Sequence, residues 1–534
     1  MATEKGRFDR LRKSQAFWWV LGYFVVLCCG VGLIYYWRVA YDFSALGAWT
    51  ATALVCGGFS VLYLLVFLNA HFIKQNYALK CAILVFVAGL GFVFANPPLQ
   101  APDENMHFLR AYSLAGGNFA FDQQEEFPAD VDLLVRDFPG NYNWEMPLSD
   151  DHSIADAFER YRADLAANDT TAPNAETWIQ QALPHLPAAA GMAVGRIFGA
   201  SALVCMYLGR LTNLLFYALC CYGGMRCCKQ FRSVLTALML VPIALFMAGS
   251  TSSDAVLLGL TWLFIGICLS DGVTTRRAVA LALSFGVLFT AKYNFLALLP
   301  LVFLIPKTEW AVRGKKLIGK RWGWALAAAL LLGTLLIYGA QTLHTALLSN
   351  YQGLTYQLGG IRPGDQMKFI LSNPVRYLAV FVYSVYLNKG ELFSGGVFGW
   401  RDAIVPFVSY FTPLLLMLSA GFDALCGARA KAKTGWLLGL TGVLFYGFTY
   451  TGMYLTSTPY TMVQILGVQT RYLLAAFFVG FALMAVLCGK TMELQKMTRE
   501  TTQKTPPEWR MLHISFVFAV ISALLLFQTY YIGA

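Results

Sequence analysis

The chain has 534 residues, of which 57% are hydrophobic, 15% aromatic and only 13% charged, where an average soluble domain carries about 25% charged residues. With a mean hydropathy of +0.56, this excludes a disordered protein and argues against an ordinary soluble enzyme, leaving a multi-spanning membrane protein. The net charge of +11 is unevenly spread: residues 96–183 hold 16 of the 29 acidic residues but only Arg110, Arg136, Arg160 and Arg162 of the 40 basic ones, so that segment is −12 and the remainder +23. The positive charge sits in short loops between apolar runs, as membrane topology requires, and not on a nucleic-acid-binding face.

Taken in chain order, the first apolar run, near Phe17–Trp37, suits a spanning helix better than the core of a cleavable signal peptide. Further runs lie near 46–68, 79–95, 201–224, 233–249, 254–271, 276–291, 293–306, 323–348, 404–425, 435–456, 467–488 and 511–531. They predict an all-α integral membrane protein with about 13 transmembrane helices. Lys5, Arg7, Arg10, Arg12 and Lys13 place the N-terminal tail in the cytoplasm. Alternation then puts every other basic loop inside, from His71/Lys74/Lys80 to Lys490–Lys504. The acidic segment 96–183 falls outside, as a large loop with amphipathic helices that is short of a core of its own. Pro184–Gly199 and Pro374–Phe398 do not fit as full spans and read as re-entrant or interface-lying helices. The chain divides into 1–78 (tail and two extra helices), 79–489 (the core module) and 490–534 (a cytoplasmic linker and the last helix).

The 12 cysteines avoid the outer loop, so they are no disulfide scaffold. Cys220, Cys221, Cys227 and Cys228 lack partner histidines and read as a small-residue helix surface.

Chemistry concentrates in four places. After Pro97-Pro98 ends a helix, Asp103 and Glu104 are adjacent, and His107 and Arg110 follow at helical spacing. A helix starting at Pro102 would hold both acids in its first turn and put Glu104, His107 and Arg110 on one face. Carboxylates just above a bilayer suit a general base or a divalent-cation site (Mg or Mn), and equally a solvated helix cap. Arg210, Asp254, Lys292 and Arg471 (with Gln469 and Tyr472 in GVQTRYLL) lie at membrane depth or at outer helix ends. Ionisable residues there are functional candidates, and the cations suit a lipid phosphate. Loop 349–402, with Arg362, Asp365, Lys368, Arg376, Lys389, Glu391, Arg401 and paired glycines, reads as a lid, an acceptor platform or plain connecting structure. There is no P-loop, Rossmann fingerprint, HExxH or nucleophile elbow, which argues for an outward-facing reaction with a lipid-linked donor.

The strings PPLQAPDENMHFLRAY, YLGRLTNLL and GVQTRYLL resemble an uncharacterised bacterial family of polytopic membrane proteins, which in turn resembles the GT-C glycosyltransferase superfamily. The likeness runs from about Leu79 to Gly489. The Asp-Glu pair is similar to that of aminoarabinose transferases and protein O-mannosyltransferases, and Thr290-Ala291-Lys292-Tyr293 more weakly to their lysine segment. A separate second acidic motif is missing from the outer loops. The resemblance implies a polyprenyl-phosphate-linked sugar donor, an envelope glycan or lipid acceptor, and inverting transfer outside the inner membrane. It implies Asp103 as general base, Glu104 as its orienting partner or a cation ligand, and Lys292, Arg210 and Arg471 on the leaving phosphate. His107 and Arg110 would position the acceptor or the first-loop helix. A lipid or glycolipid flippase and a polymerase or ligase of lipid-linked glycans are the alternatives.

This topology predicts that alkaline phosphatase fused after Asp150 is active and that the same reporter fused after Lys431 is inactive. The opposite pattern would invert the topology.

Overall fold

The computed structural model describes residues 15–41, 48–72, 76–122, 125–138, 154–167, 174–272, 274–306, 311–312, 315–316, 360–426, 432–491 and 507–532. Helices α1 (Gln15–Tyr41), α2 (Ala48–Phe72) and α3 (Tyr77–Ala95) open the chain, followed by α4 (Glu104–Ala115), α5 (Ala129–Asp137) and α6 (Ile154–Ala166). Next come α7 (Leu186–Ile197), α8 (Ala202–Cys227), α9 (Arg232–Met239), α10 (Pro242–Ala248), α11 (Asp254–Cys268) and α12 (Thr275–Ala291), and a 3-10 helix over Tyr293–Leu304. After α13 (Pro363–Ser372) and α14 (Pro374–Ser394), a small hairpin pairs β3 (Val397–Phe398) with β4 (Ala403–Ile404). A two-residue pair, β1 (Ala311–Val312) with β2 (Lys315–Lys316), precedes it. Helices α15 (Pro406–Leu425), α16 (Ala432–Ser457), α17 (Leu474–Thr491) and α18 (Pro507–Tyr531) close the chain.

Six helical segments among the described residues are long and apolar enough to cross a membrane, or seven if the bent pair α13–α14 is one span. The protein is therefore membrane-embedded and α-helical, but the count of about 13 spans is not reproduced. One reason is proline: Pro242 starts a new helix, so the run 233–249 becomes two pieces of 8 and 7 residues. Another is length: α11 has 15 residues, α12 has 17 and the 3-10 helix 12, whereas a spanning helix needs about 20. The run 323–348 lies outside the described residues. Pro374–Phe398 forms α14 and then strand β3, and α14 turns from α13 by 111° at Asn373-Pro374. Pro184–Gly199 forms the 12-residue α7.

Helix α8 is the central post and packs on α3, α7 and α11. It meets α11 where both carry small residues: a Cβ on Gly266 would lie 2.2 Å from the Gly224 carbonyl oxygen, and one on Gly224 2.5 Å from that of Trp262. Cys220 also faces Gly259, and the four clustered cysteines are buried thiols. Tyr217 on α8 accepts a hydrogen bond from Trp262 Nε1 at 3.0 Å and donates to the Met239 carbonyl at 2.9 Å.

The acidic segment builds a second core. Phe108, Leu109, Leu134, Phe138 and Tyr161 from α4–α6 pack with Ala188 and Met192 of α7 and Cys205 and Met206 of α8. The segment is thus fused to the bundle by shared apolar surface. Several of its acids are structural: Asp130 accepts from the Ala202 amide at the start of α8 (2.7 Å), Asp132 accepts from the Ala175 amide (2.9 Å), and Asp137 pairs with Arg136 (2.7 Å).

The backbone contact between α8 and α11 cannot be relieved by rotating a side chain, so Gly266→Ala should cost about 1–3 kcal/mol. Gly286 on α12 has open space at its Cβ position, so Gly286→Ala should be neutral or stabilising. Thermal unfolding in detergent measures both; equal melting temperatures for the two variants would contradict the close crossing.

Candidate functional site

Helix α3 stops at Asn96 before two prolines, leaving its last carbonyls without helical partners. Arg210 of α8 reaches them: Nη1 donates to the carbonyls of Val93 (3.1 Å) and Asn96 (2.6 Å), and Nη2 to that of Pro97 (2.7 Å). Its other two N–H groups go to Glu104, Nε to Oε1 at 2.8 Å and Nη2 to Oε2 at 2.7 Å. Both side chains are 0% exposed. Glu104 also accepts from the Thr251 amide (2.9 Å) and the Ala101 amide (3.3 Å). The carboxylate thereby ties the start of α4 to α8 and to the buried turn Gly249–Ser253. Asn213 of α8 secures the same turn through the carbonyls of Ser250 (2.9 Å) and Ser252 (3.3 Å).

These bonds correct two sequence expectations. All five guanidinium N–H groups of Arg210 are committed, so in this arrangement Arg210 has none to offer a phosphate. Both Glu104 oxygens are occupied, so an Asp103–Glu104 cation site does not fit the donor set. Among the described residues, no group of three or more Asp, Glu, His and Cys side chains is placed to hold a metal ion.

Asp103 is not in the first helical turn. It sits at the N-cap of α4 in the left-handed region (φ 60°), and its side chain makes no capping bond. That conformation is available to Asp at a cost of about 1–2 kcal/mol, and the adjacent Glu104 clamp holds it. The freed carboxylate is 51% exposed, with Oδ2 3.5 Å from Arg471 Nη2.

Arg471 joins the other predicted residues. Its Nε lies 3.0 Å from Asp254 Oδ2, and Lys292 Nζ lies 2.6 Å from Asp254 Oδ1. Arg471 Nη2 also donates to the Tyr472 hydroxyl (2.8 Å), and Lys292 Nζ lies 4.5 Å from the Tyr472 ring centre. Asp254 opens α11, while Lys292 occupies the break between α12 and the following 3-10 helix. The result is a neutral quartet of Asp103, Asp254, Lys292 and Arg471.

Arg471 is 6% exposed, yet its donors are poorly used. Among the described residues Nε has no well-aligned hydrogen-bond acceptor, and Nη1 meets the Met247 sulfur at 3.9 Å and no other acceptor. Arg471 and Gln469 line a small cleft of about 30 Å³ with Pro102, Phe246, Gly399 and Arg401. Gln469 is half-buried and makes no side-chain hydrogen bond among the described residues. The hairpin β3–β4 brings Gly399 (φ 57°) and Arg401 to this cleft. It is therefore the end of loop 349–402 that reaches the site; Arg362 pairs with Asp365 at 4.0 Å on the surface.

Arg110 is spent on the first-loop helix, the second of the two positions expected for it. It is 1% exposed and donates to the carbonyls of Asn118 (3.4 Å) and Phe119 (3.1 Å), fastening the turn after α4. His107 turns to a residue the sequence reading missed: its Nδ1 lies 2.8 Å from His185 Nε2. The one available signal for His185 was an ionisable residue inside an apolar stretch.

The family model described as predicted membrane protein (DUF2142) matches residues 86–479. The chain belongs to that family. The match takes in α4, α8, α11 and the quartet, and leaves out α1, α2 and α18. No curated protein and no solved structure matches the chain.

Removing one partner of a fully buried ion pair leaves the other charge unpaired, at a cost of about 3–5 kcal/mol. Arg210→Met should therefore lower the yield of folded protein sharply, and adding Glu104→Leu should recover part of the loss. Thermal unfolding of the two variants tests this; an Arg210→Met protein as stable as wild type would contradict the clamp.

Proposed function

We propose that this protein is a membrane glycosyltransferase of GT-C type that moves a sugar from a polyprenyl-phosphate donor to an envelope glycan or lipid acceptor, with inversion, on the extracytoplasmic side of the bacterial inner membrane. The observation that supports it best is the half-exposed Asp103 carboxylate held beside Arg471, a buried cation with unused donors on a cleft wall. A base and an anion-binding cation side by side are what transfer from a phosphate-linked sugar needs.

In this reading the acceptor oxygen attacks the anomeric carbon and its proton passes to the Asp103 carboxylate. The bond from that carbon to the phosphate oxygen breaks, and the electron pair leaves with the phosphate. Arg471 Nη1 and the remaining protons of Lys292 Nζ meet the developing charge in a site sheltered from water, where fixed cations act most strongly. A single displacement inverts the anomeric centre. Glu104 and Arg210 act at one remove by fixing the turn that carries Asp103. The transporter alternative drew on Arg210 as a charge at membrane depth and on re-entrant helices; the charge is internally satisfied, and the bent pair α13–α14 remains as its other ground.

Membranes carrying the protein should transfer label from one member of a panel of polyprenyl-phosphate sugars, and not from the corresponding diphosphates. Asp103→Asn should lower kcat by about 10²–10⁴-fold with unchanged insertion and melting temperature. Full transfer by Asp103→Asn would remove Asp103 as the base, and preference for a diphosphate donor would favour a polymerase or ligase.

A further inference from the structure

The histidine pair carries an inference beyond the base and the phosphate site. His185 is 0% exposed, and its Nδ1 lies 2.7 Å from the Gln181 carbonyl oxygen. A carbonyl only accepts, so His185 Nδ1 carries the proton. Burial is the main cause that pushes His185 down to about 4, with Arg110 adding to it and the Gln181 carbonyl opposing it, so the ring is neutral at pH 7. Its Nε2 is then a lone pair. Across the 2.8 Å contact, His107 Nδ1 must be the donor.

His107 is itself held well below its ordinary value. Burial is the leading cause, the neighbouring His185 follows, and Lys292 and Arg471 act in the same direction against Asp254. His107 is therefore neutral as well, and with its proton on Nδ1 its Nε2 is an open lone pair. That nitrogen makes no hydrogen bond among the described residues, and the ring forms no ion pair with Asp103 or Asp254 there. Imidazole in water favours the other tautomer, so the Gln181–His185 chain imposes this one.

We infer that His107 Nε2 is a hydrogen-bond acceptor for a hydroxyl of the acceptor substrate, fixed in the Nδ1–H tautomer by His185. His185 is a positioning residue that acts only through His107. No proton leaves the pair during the reaction. His107 lies one helical turn from Asp103, its amide donating to the Asp103 carbonyl at 3.1 Å, so its Nε2 is a hydroxyl acceptor next to the base, whereas Lys292 and Arg471 can only donate. The inference rests on the proposed transfer reaction for its substrate, but not for its tautomer.

The test uses full-length protein in lipid nanodiscs with ¹⁵N-labelled histidine, where His107→Asn identifies the His107 signals among the six histidines. The expected result between about pH 6 and pH 8 is a neutral His107 ring with a protonated Nδ1, an unprotonated Nε2 and a coupling across the hydrogen bond to His185. An Nε2–H tautomer or a charged ring would overturn the inference, whatever reaction the protein performs. His185→Gln, whose amide oxygen can still accept from Nδ1, should keep the tautomer, while His185→Leu should release it. In the transfer assay, His107→Asn keeps a donor toward His185 but deletes the lone pair. It should raise the acceptor KM about tenfold, the loss of one hydrogen bond, with less effect on kcat. Only at pH well below the ordinary imidazole range should protonation of Nε2 raise the acceptor KM in wild type, leaving that of His107→Asn flat. A loss in kcat alone, with unchanged acceptor KM, would refute the positioning role.

Discussion

The buried Glu104–Arg210 pair is the constraint from which the site hangs. Two opposite charges with 0% exposure are stable only when every remaining donor and acceptor is also met. Here that condition is satisfied by three carbonyls at the end of α3 and by backbone amides at Ala101 and Thr251. The result is a rigid junction of four chain segments. Asp103 precedes Glu104 by one residue, and Asp254 follows Thr251 by three. Each is exact in position because the clamp leaves little else to adjust.

Above the junction the electrostatics change character. The clamp is saturated, whereas the quartet is balanced in charge but not in hydrogen bonds. Arg471 is almost fully buried with donors unused, and Asp103 is half exposed with one long contact of 3.5 Å. Unmet donors and acceptors in a sheltered site are costly for stability, and such features gather where a ligand completes the set. The histidine pair adds directionality, because a carbonyl at one end dictates where each proton sits along the chain.

The sequence was a good guide where a residue's cost at its position was high. Asp103, Glu104, Asp254, Lys292 and Arg471 were all flagged as ionisable residues near membrane depth, and the fold brings all five within one region. Their division of labour was not legible. Glu104 and Asp103 are neighbours with the same functional group, yet one is sealed under Arg210 and the other is turned outward by a left-handed backbone (φ 60°). Arg210 and Arg471 looked alike as cations in helical runs, but only Arg210 has a carboxylate and three carbonyls within reach of all its N–H groups. His185 was missed because its partner is 78 positions away, a separation that no local pattern encodes. The number of full spans was not legible for a related reason. Hydropathy measures how apolar a run is, not whether proline breaks it or whether neighbouring helices shield it from lipid.

What the sequence determined by itself was the solvent: 57% hydrophobic residues and 13% charged ones require a membrane, and backbone groups in a membrane require helices. It also concentrated 16 of the 29 acidic residues in one segment and marked the carboxylates and cations worth examining. The tertiary structure alone decided which charges neutralise each other and which stay open to a ligand. That distinction depends on distances of about 3 Å between segments more than a hundred residues apart, and these exist only once α8, α11 and the turn after α3 have packed together.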